Sequence, residues 1–139
     1  MIRVVRDGTT RASNAMMVSR VEPGLFTADA SGRGLAAGLA VVVDKDGARR
    51  IQFLTTPIAI PAGGIVALSL FGTGMRGTKV SVTVKGLAAD VLYAGAQMEF
   101  AGLDQVNIQL PAGVSGSGEV DVELTVDGNK ANTVRVAIQ

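Results

Sequence analysis

Cysteine and histidine are both absent from this 139-residue chain. Without cysteine, the chain can form no disulfide, no thiol nucleophile and no thiolate metal site. Without histidine, it lacks the commonest general base and the commonest transition-metal ligand, so every catalytic triad that uses imidazole is excluded. The candidate catalytic groups that remain are carboxylates, lysines, arginines, hydroxyls and the phenol of Tyr93.

Charge is also scarce, at 18% of the residues, and the formal net charge is +1. A nucleic-acid-binding surface needs a basic patch, so this balance predicts no nucleic acid partner. Residues 51–75 carry no charge, but Pro57, Pro61 and Gly63-Gly64 interrupt them. We therefore expect a buried strand there and no transmembrane segment. Residues 1–8 have no apolar core of the kind found in a signal peptide.

Glycine and apolar residues are plentiful, with 18 glycines and 47% apolar residues, which favours short strands joined by tight turns. Four segments alternate apolar and polar side chains strictly, as half-buried strands do. Their apolar positions are Val80, Val82 and Val84; Val106, Ile108 and Leu110; Val120, Val122, Leu124 and Val126; and Val134, Val136 and Ile138. Each strand should have one buried face and one solvated face. We expect the five aromatic residues to belong to the core, which leaves no aromatic platform for a carbohydrate.

Turn residues separate these segments. The Asp-Gly pairs at Asp7-Gly8 and Asp127-Gly128 suit two-residue hairpins, because both residues tolerate a positive φ. "DKDGAR" predicts another hairpin, between "LAVVV" and "RIQFL". No segment is convincing as an amphipathic helix. The sequence thus predicts about eight to ten strands and an all-β fold, specifically an immunoglobulin-like antiparallel β-sandwich.

A glycine-rich stretch, "FGTGMRG", matches the dinucleotide-binding pattern G-x-G-x-x-G at Gly72, Gly74 and Gly77. That pattern binds a pyrophosphate only where a helix begins directly after it. Here the following residues, "TKVSVTV", predict a strand instead. A turn between two strands is therefore the favoured interpretation, and a nucleotide loop at residues 72–77 is the alternative.

Acidic residues offer few candidate sites. "DKDG" begins like a calcium loop, but basic residues stand where further ligands would be needed. Glu99 and Asp104 show no sign of converging as a catalytic pair. Glu119, Asp121 and Glu123 form an acidic ladder on one strand face, which we expect to stay solvated or to pair with Arg135 across a hairpin; a weak cation site is the alternative. We assign no catalytic, cofactor-binding or metal-ligating residue and no cofactor.

Two segments are similar: "RDGTTRASNAMMVSR" at residues 6–20 and "VDGNKANTVRVAIQ" at residues 126–139, the first of which is two residues longer between its Asp-Gly and its Asn. The second copy is typical of a closing hairpin followed by a last strand, and the Asn132 amide is placed to bond loose backbone groups there. The first copy predicts the same closing piece of a preceding unit. We expect residues 1–20 to pair with a sheet edge of their own domain or of a neighbouring chain, which would give a strand-pairing homo-oligomer.

The segments "PGLFTADASGRG", "FGTGM", "LYAG", "LDQVNIQLPAG" and "ANTV" resemble a C-terminal immunoglobulin-like domain found in large secreted proteins of Acidobacteria, and more distantly the TIG/IPT domains. The resemblance covers about residues 21–139. It implies a non-catalytic structural or adhesion module of an exported multidomain protein, located outside the cell or at its surface. Such a module would contact a protein or polysaccharide through sheet edges or end loops.

The sequence suggests three parts: a hairpin at residues 1–20, a connecting segment with a hairpin at 21–56, and the sandwich at 57–139. Two classes of function remain open. One is the structural or adhesion module; the other is a small-ligand or nucleotide-binding protein that uses the loop 72–77.

Overall fold

The computed structural model describes all 139 residues, and its regular secondary structure consists of β-strands apart from one short 3-10 helix at Ala112–Val114. The predicted all-β fold is confirmed. There are twelve strands, more than predicted, because two of them are only two residues long. The strands are β1 (Ile2–Arg6), β2 (Thr9–Asn14), β3 (Gly24–Leu25), β4 (Gly38–Val43), β5 (Arg49–Phe53), β6 (Ile65–Thr73), β7 (Val80–Val84), β8 (Leu87–Ala96), β9 (Asp104–Gln109), β10 (Gly118–Val126), β11 (Asn129–Lys130) and β12 (Val134–Ile138).

Strands β3–β12 form an antiparallel sandwich whose two layers share one strand. The first layer runs β5-β4-β6-β9-β8, with β3 at the end of β6, and the second runs β8-β7-β10, with β11 and β12 beyond β10. Residues 87–89 of β8 pair with β7, whereas residues 90–96 pair with β9. A register shift between Val91 and Tyr93 marks the bulge in this strand. The passage of β8 between the layers joins them along one side.

The opposite side of the sandwich is joined by the segments that lead into β4 and into β6. Leu35 and Ile58 form isolated parallel bridges with Arg135 and Ile138 of β12. Immediately after Leu35, the chain enters the first layer at Gly38. Most of the outer edge of β12 is therefore covered.

The core lies between the two layers and contains 24 buried apolar side chains. The four alternating segments provide much of it, with Val80 half-buried and the other predicted apolar positions buried, so the predicted strand orientations are confirmed. Removing an aliphatic side chain of this size from water contributes about 1.5–3 kcal/mol. The alternation in the sequence thus identified most of the interior of the second layer.

Residues 21–56 belong to the sandwich. Strand β4 pairs with β6 along six consecutive positions, and β5 extends the same layer. Val21, Leu25, Val42 and Leu54 lie in the common core. A boundary at residue 57 would divide this layer, so the sandwich runs from Val21 to Gln139.

The N-terminal hairpin stands apart from the sandwich. Strands β1 and β2 form a separate two-stranded sheet, and every residue from 1 to 20 is exposed. The structure thus contradicts pairing with a sheet edge of its own domain: no strand of the sandwich takes β1 or β2 as a neighbour. Pairing with a neighbouring chain remains a prediction.

The two Asp-Gly turns have the same backbone conformation. Asp7 and Gly8 have φ values of 51° and 72°, and Asp127 and Gly128 have values of 48° and 86°. Positive φ at both central residues is the conformation of a two-residue type I′ hairpin. Both predicted hairpins are confirmed, and so is the one at "DKDGAR", which joins β4 to β5.

None of the chain forms an apolar helix that is long enough to cross a lipid bilayer.

Candidate functional site

The glycine-rich loop joins β6 to β7, and several backbone N–H groups of this connection already have protein acceptors. The N–H of Met75 donates to Oδ2 of Asp104 at 3.0 Å. The N–H groups of Thr78 and Lys79 donate to Oδ1 of Asp127 at 3.0 and 2.6 Å. In a nucleotide-binding loop such N–H groups would donate to phosphate oxygens, whereas here they donate to two carboxylates of the chain itself. Strand β7 follows the loop, as the sequence predicted, and no helix begins there.

The glycines of this loop allow another segment of backbone to pass close by. A Cβ atom on Gly72 would lie 2.1 Å from the carbonyl oxygen of Gly24, and one on Gly74 would lie 2.1 Å from that of Glu22. Gly74 also has a φ of 69°, which side chains other than glycine rarely adopt. Residues 22–24 cross the loop in the space that side chains would otherwise fill. These glycines therefore have a packing role.

Asp104 anchors the loop to the first layer. Its side chain is only 3% exposed, and besides the Met75 N–H it accepts a hydrogen bond from Nε of Arg76. Glu99 does not join it, because Gln97 is the hydrogen-bond partner of Glu99. The sequence identified Asp104 only as a strand-end carboxylate. Its partner loop lies 28 or more residues away along the chain, so no local pattern could have revealed the anchor.

Asp127 has a second role besides forming its hairpin turn. The N–H groups of Lys79 and, to a smaller extent, Thr78 lower the pKa of its carboxyl group, since hydrogen bonds to the charged form favour that form. Arg20 adds a weaker Coulombic effect in the same direction. Asp127 therefore holds the end of the glycine-rich loop against the closing hairpin.

Asn132 ties the closing hairpin to the first strand of the sandwich. Its Oδ1 accepts the N–H of Leu25 at 2.8 Å, and its Nδ2 donates to the carbonyl oxygens of Leu25 and Gly32 at 2.9 Å each. The amide bonds backbone groups, as predicted, but these groups belong to residues 25 and 32 and not to the closing hairpin. The segments "PGLFTADASGRG" and "ANTV" thus meet in space, although about 100 residues separate them.

The acidic ladder on β10 has basic partners. Arg135 on β12 contacts Glu119 at 3.0 Å and Asp121 at 3.5 Å, and Lys130 lies 3.8 Å from Glu123. The predicted pairing with Arg135 is confirmed. No group of three or more carboxylates is arranged so that it could hold a metal ion.

The outer face of the first layer is apolar where strands β4, β5 and β6 meet. Ile51 is paired with Val41 and is 68% exposed, and Phe53 is paired with Leu39 and is 70% exposed. These strands therefore depart from the expected solvated outer face. The expectation that the aromatic residues belong to the core is also wrong, because none of the five is buried. Alternation gave no guidance for β4 and β6, because both faces of these two strands carry apolar side chains.

Three candidate surfaces result: the paired ladder of β10, the apolar outer face of β4–β6 with its edge strand β5, and the separate hairpin with its linker.

Comparisons of the chain with protein-family models, with curated proteins and with solved structures gave no match.

Proposed function

We propose that this chain is a non-catalytic structural or adhesion module with an immunoglobulin-like sandwich, part of an exported multidomain bacterial protein. The observation that carries the proposal is the repeated Asp-Gly hairpin. One copy closes the sandwich, and the other, with the same turn conformation, has no sheet to join. An array of similar units explains why one chain carries both.

The exposed copy has the side chains that a closing piece would bury. Aligned on Asn14 and Asn132, Met16 and Val18 occupy the positions of Val134 and Val136. Val134 and Val136 are fully buried, whereas Val18 is 91% exposed. An isolated two-stranded hairpin is marginally stable in water, so a neighbouring sheet would stabilise this segment. Residues 1–20 are therefore suited to complete the sandwich of a preceding unit.

The nucleotide-binding alternative has no supporting observation. Residues 72–77 connect one strand to the next, and the N–H groups of Met75, Thr78 and Lys79 donate to Asp104 and Asp127. A phosphate would have to displace both carboxylates. Binding of a protein or polysaccharide through a sheet edge or an end loop fits the exposed surfaces better than nucleotide binding does. The family resemblance implies an extracellular location.

Hydrogen–deuterium exchange tests the proposal. In the 139-residue chain, amides of residues 1–20 should exchange much faster than those of β10 and β12, because the hairpin lacks tertiary packing. When the chain is expressed with the coding sequence that precedes codon 1, the same amides should become protected. Residues 126–139 are the matched control, since they should be protected in both proteins.

Fast exchange of residues 1–20 in both proteins would contradict the array. So would a coding frame that begins at Met1 next to cytoplasmic genes, because no preceding unit would then exist for the hairpin to complete.

A further inference from the structure

Strand β5 is the longest regular open edge of the sandwich. The outer edge of β12 is largely covered by the segment around Leu35 and by Ile58. The other open stretch, residues 90–96 of β8, contains a bulge, which interrupts regular pairing. Strand β5 has β4 on one side and no strand on the other.

The hydrogen-bond pattern shows which backbone groups of β5 face outward. At the two ends of the β4–β5 pair, Asp44 N–H donates to Ala48 and Leu54 N–H donates to Gly38. Because hydrogen-bonded and non-hydrogen-bonded pairs alternate in an antiparallel ladder, Arg50 and Gln52 bond to β4. The N–H and C=O groups of Arg49, Ile51 and Phe53 therefore point away from the sandwich. Of these, only the Phe53 carbonyl has an acceptor role already, toward Thr56 N–H.

We propose that β5 pairs with β5 of a second copy of this chain, antiparallel and about a two-fold axis at Ile51, so that the first layers of two sandwiches join into one continuous sheet. In this register Ile51 faces Ile51 of the second copy, Arg49 faces its Phe53, and Arg50 faces its Gln52. Every outward-pointing residue of one edge then meets an outward-pointing residue of the other, as the ladder requires.

The charges disfavour one alternative register and one alternative partner. A shift that placed Arg50 opposite Arg50 would set like charges directly across the ladder, which is unfavourable. In the register with its axis at Ile51, Arg49 and Arg50 of the two copies lie at opposite ends of the paired strands. Arg50 also forms a salt bridge with Asp44 at 3.1 Å. The chain's own hairpin strand β1 is a poorer partner. It has Arg3 and Arg6 near its two ends, so either direction brings an arginine close to those of β5.

The apolar outer face supports the same arrangement. Ile51 and Phe53 lie beside Val41 and Leu39, and together they form an apolar strip that reaches the open edge. Two-fold pairing would place the strips of the two copies side by side. The contact between Ile51 side chains would remove from water two of the most exposed aliphatic groups of the sandwich.

Sedimentation equilibrium of the 139-residue chain, from micromolar to millimolar concentration, should show a reversible dimer. Two substitutions at Phe53 test the register, because this side chain is exposed and both variants should keep the melting temperature. Phe53→Arg places like charge opposite Arg49 of the second copy at two symmetric positions and should weaken dimerisation by about tenfold or more. Phe53→Glu places opposite charge there and should keep or strengthen the dimer.

A chemical cross-link tests the axis. The chain has no cysteine, so Ile51→Cys introduces its only thiol, and a short bismaleimide should link two copies efficiently. Met98→Cys, at an exposed position outside β5, is the matched control and should link poorly. A wild-type chain that stays monomeric at millimolar concentration would overturn the proposal. Equal effects of the two Phe53 variants, or equal cross-linking at positions 51 and 98, would overturn it as well.

Discussion

The two Asp-Gly hairpins of this chain share a turn and differ in everything that follows it. After Asp127-Gly128, the strand ends at Lys130, Asn132 bonds to the first strand of the sandwich, and β12 enters the core. After Asp7-Gly8, the strand runs on beside β1 to Asn14, and the remaining residues stay exposed. The same turn therefore forms whether or not the hairpin joins the sandwich, whereas the path of the returning strand depends on the available sheet.

The asparagines show this dependence most clearly. Asn132 has three backbone partners, all on segments that precede it by 100 residues or more. Asn14 occupies the corresponding place but lies within a strand opposite Ile2. Paired substitutions in the two copies can measure how much the sandwich contributes to each position.

The largest contrast is expected at the asparagines. Asn132→Ala removes three hydrogen bonds and leaves part-buried backbone groups of Leu25 and Gly32 without partners, which should cost about 3 kcal/mol of unfolding free energy. Asn14→Ala should leave that free energy unchanged. Urea denaturation followed by circular dichroism provides the measurement. Similar losses in the two variants would mean that the hairpin copies are equivalent in solution.

A smaller contrast is expected at the valines. Val136 is fully buried, so Val136→Ala should destabilise the sandwich by about 2 kcal/mol through lost burial and a residual cavity. Val18→Ala should have no measurable effect, because Val18 is exposed. The same denaturation experiment measures both variants. A comparable loss at Val18 would show that residues 15–20 pack against the sandwich.

The aspartates provide a pH-dependent contrast. Because its folded-state pKa is lowered, Asp127 stabilises the sandwich above the usual aspartate pKa, and this contribution disappears as the pH falls through the lowered value. The stability difference between wild type and Asp127→Asn should therefore be largest near neutral pH and shrink on acidification. Asp7→Asn, in the exposed hairpin, is the matched control and should leave the stability of the sandwich unchanged. A gap for Asp127→Asn that stayed constant from neutral to strongly acidic pH would contradict this linkage.

The smallest effect is expected from removing the exposed copy altogether. Deletion of residues 1–19 keeps Arg20 near Asp127 and should shift the melting temperature of the sandwich by less than about 2 °C. Differential scanning calorimetry measures this shift. A clear decrease would mean that the hairpin and the sandwich unfold as one unit.

Sequence patterns predicted those parts of the fold that depend on local chemistry. The strict alternation in β7, β9, β10 and β12 identified buried side chains, and Asp-Gly identified the turns. The apolar outer face of β4–β6 was not predicted, because a strand with apolar residues on both faces gives no sign of which face is exposed. The separation of residues 21–56 from the sandwich at residue 57 had a similar cause, since β4 pairs with β6 across the intervening strand β5.

The contacts that anchor the loops could be predicted from the sequence only where a residue type tends to form a particular hydrogen bond. An asparagine after a tight turn tends to bond backbone groups, so the role of Asn132 could be predicted although its partners could not. Asp104 and the second role of Asp127 depend on a loop 28 to 49 residues away in sequence. Such contacts depend on the order of the strands in the sheets, which a short stretch of sequence does not reveal.

The hydrogen bonds between the two ends of the sandwich also bear on how the chain folds during synthesis. The carbonyl of Val21 and the backbone of Leu25 are bonded by Asn129 and Asn132, more than 100 residues later. Contacts of such high sequence separation slow folding, because a long loop must close before they form. The first strand of the sandwich therefore lacks these hydrogen bonds until Asn129 and Asn132 have left the ribosome.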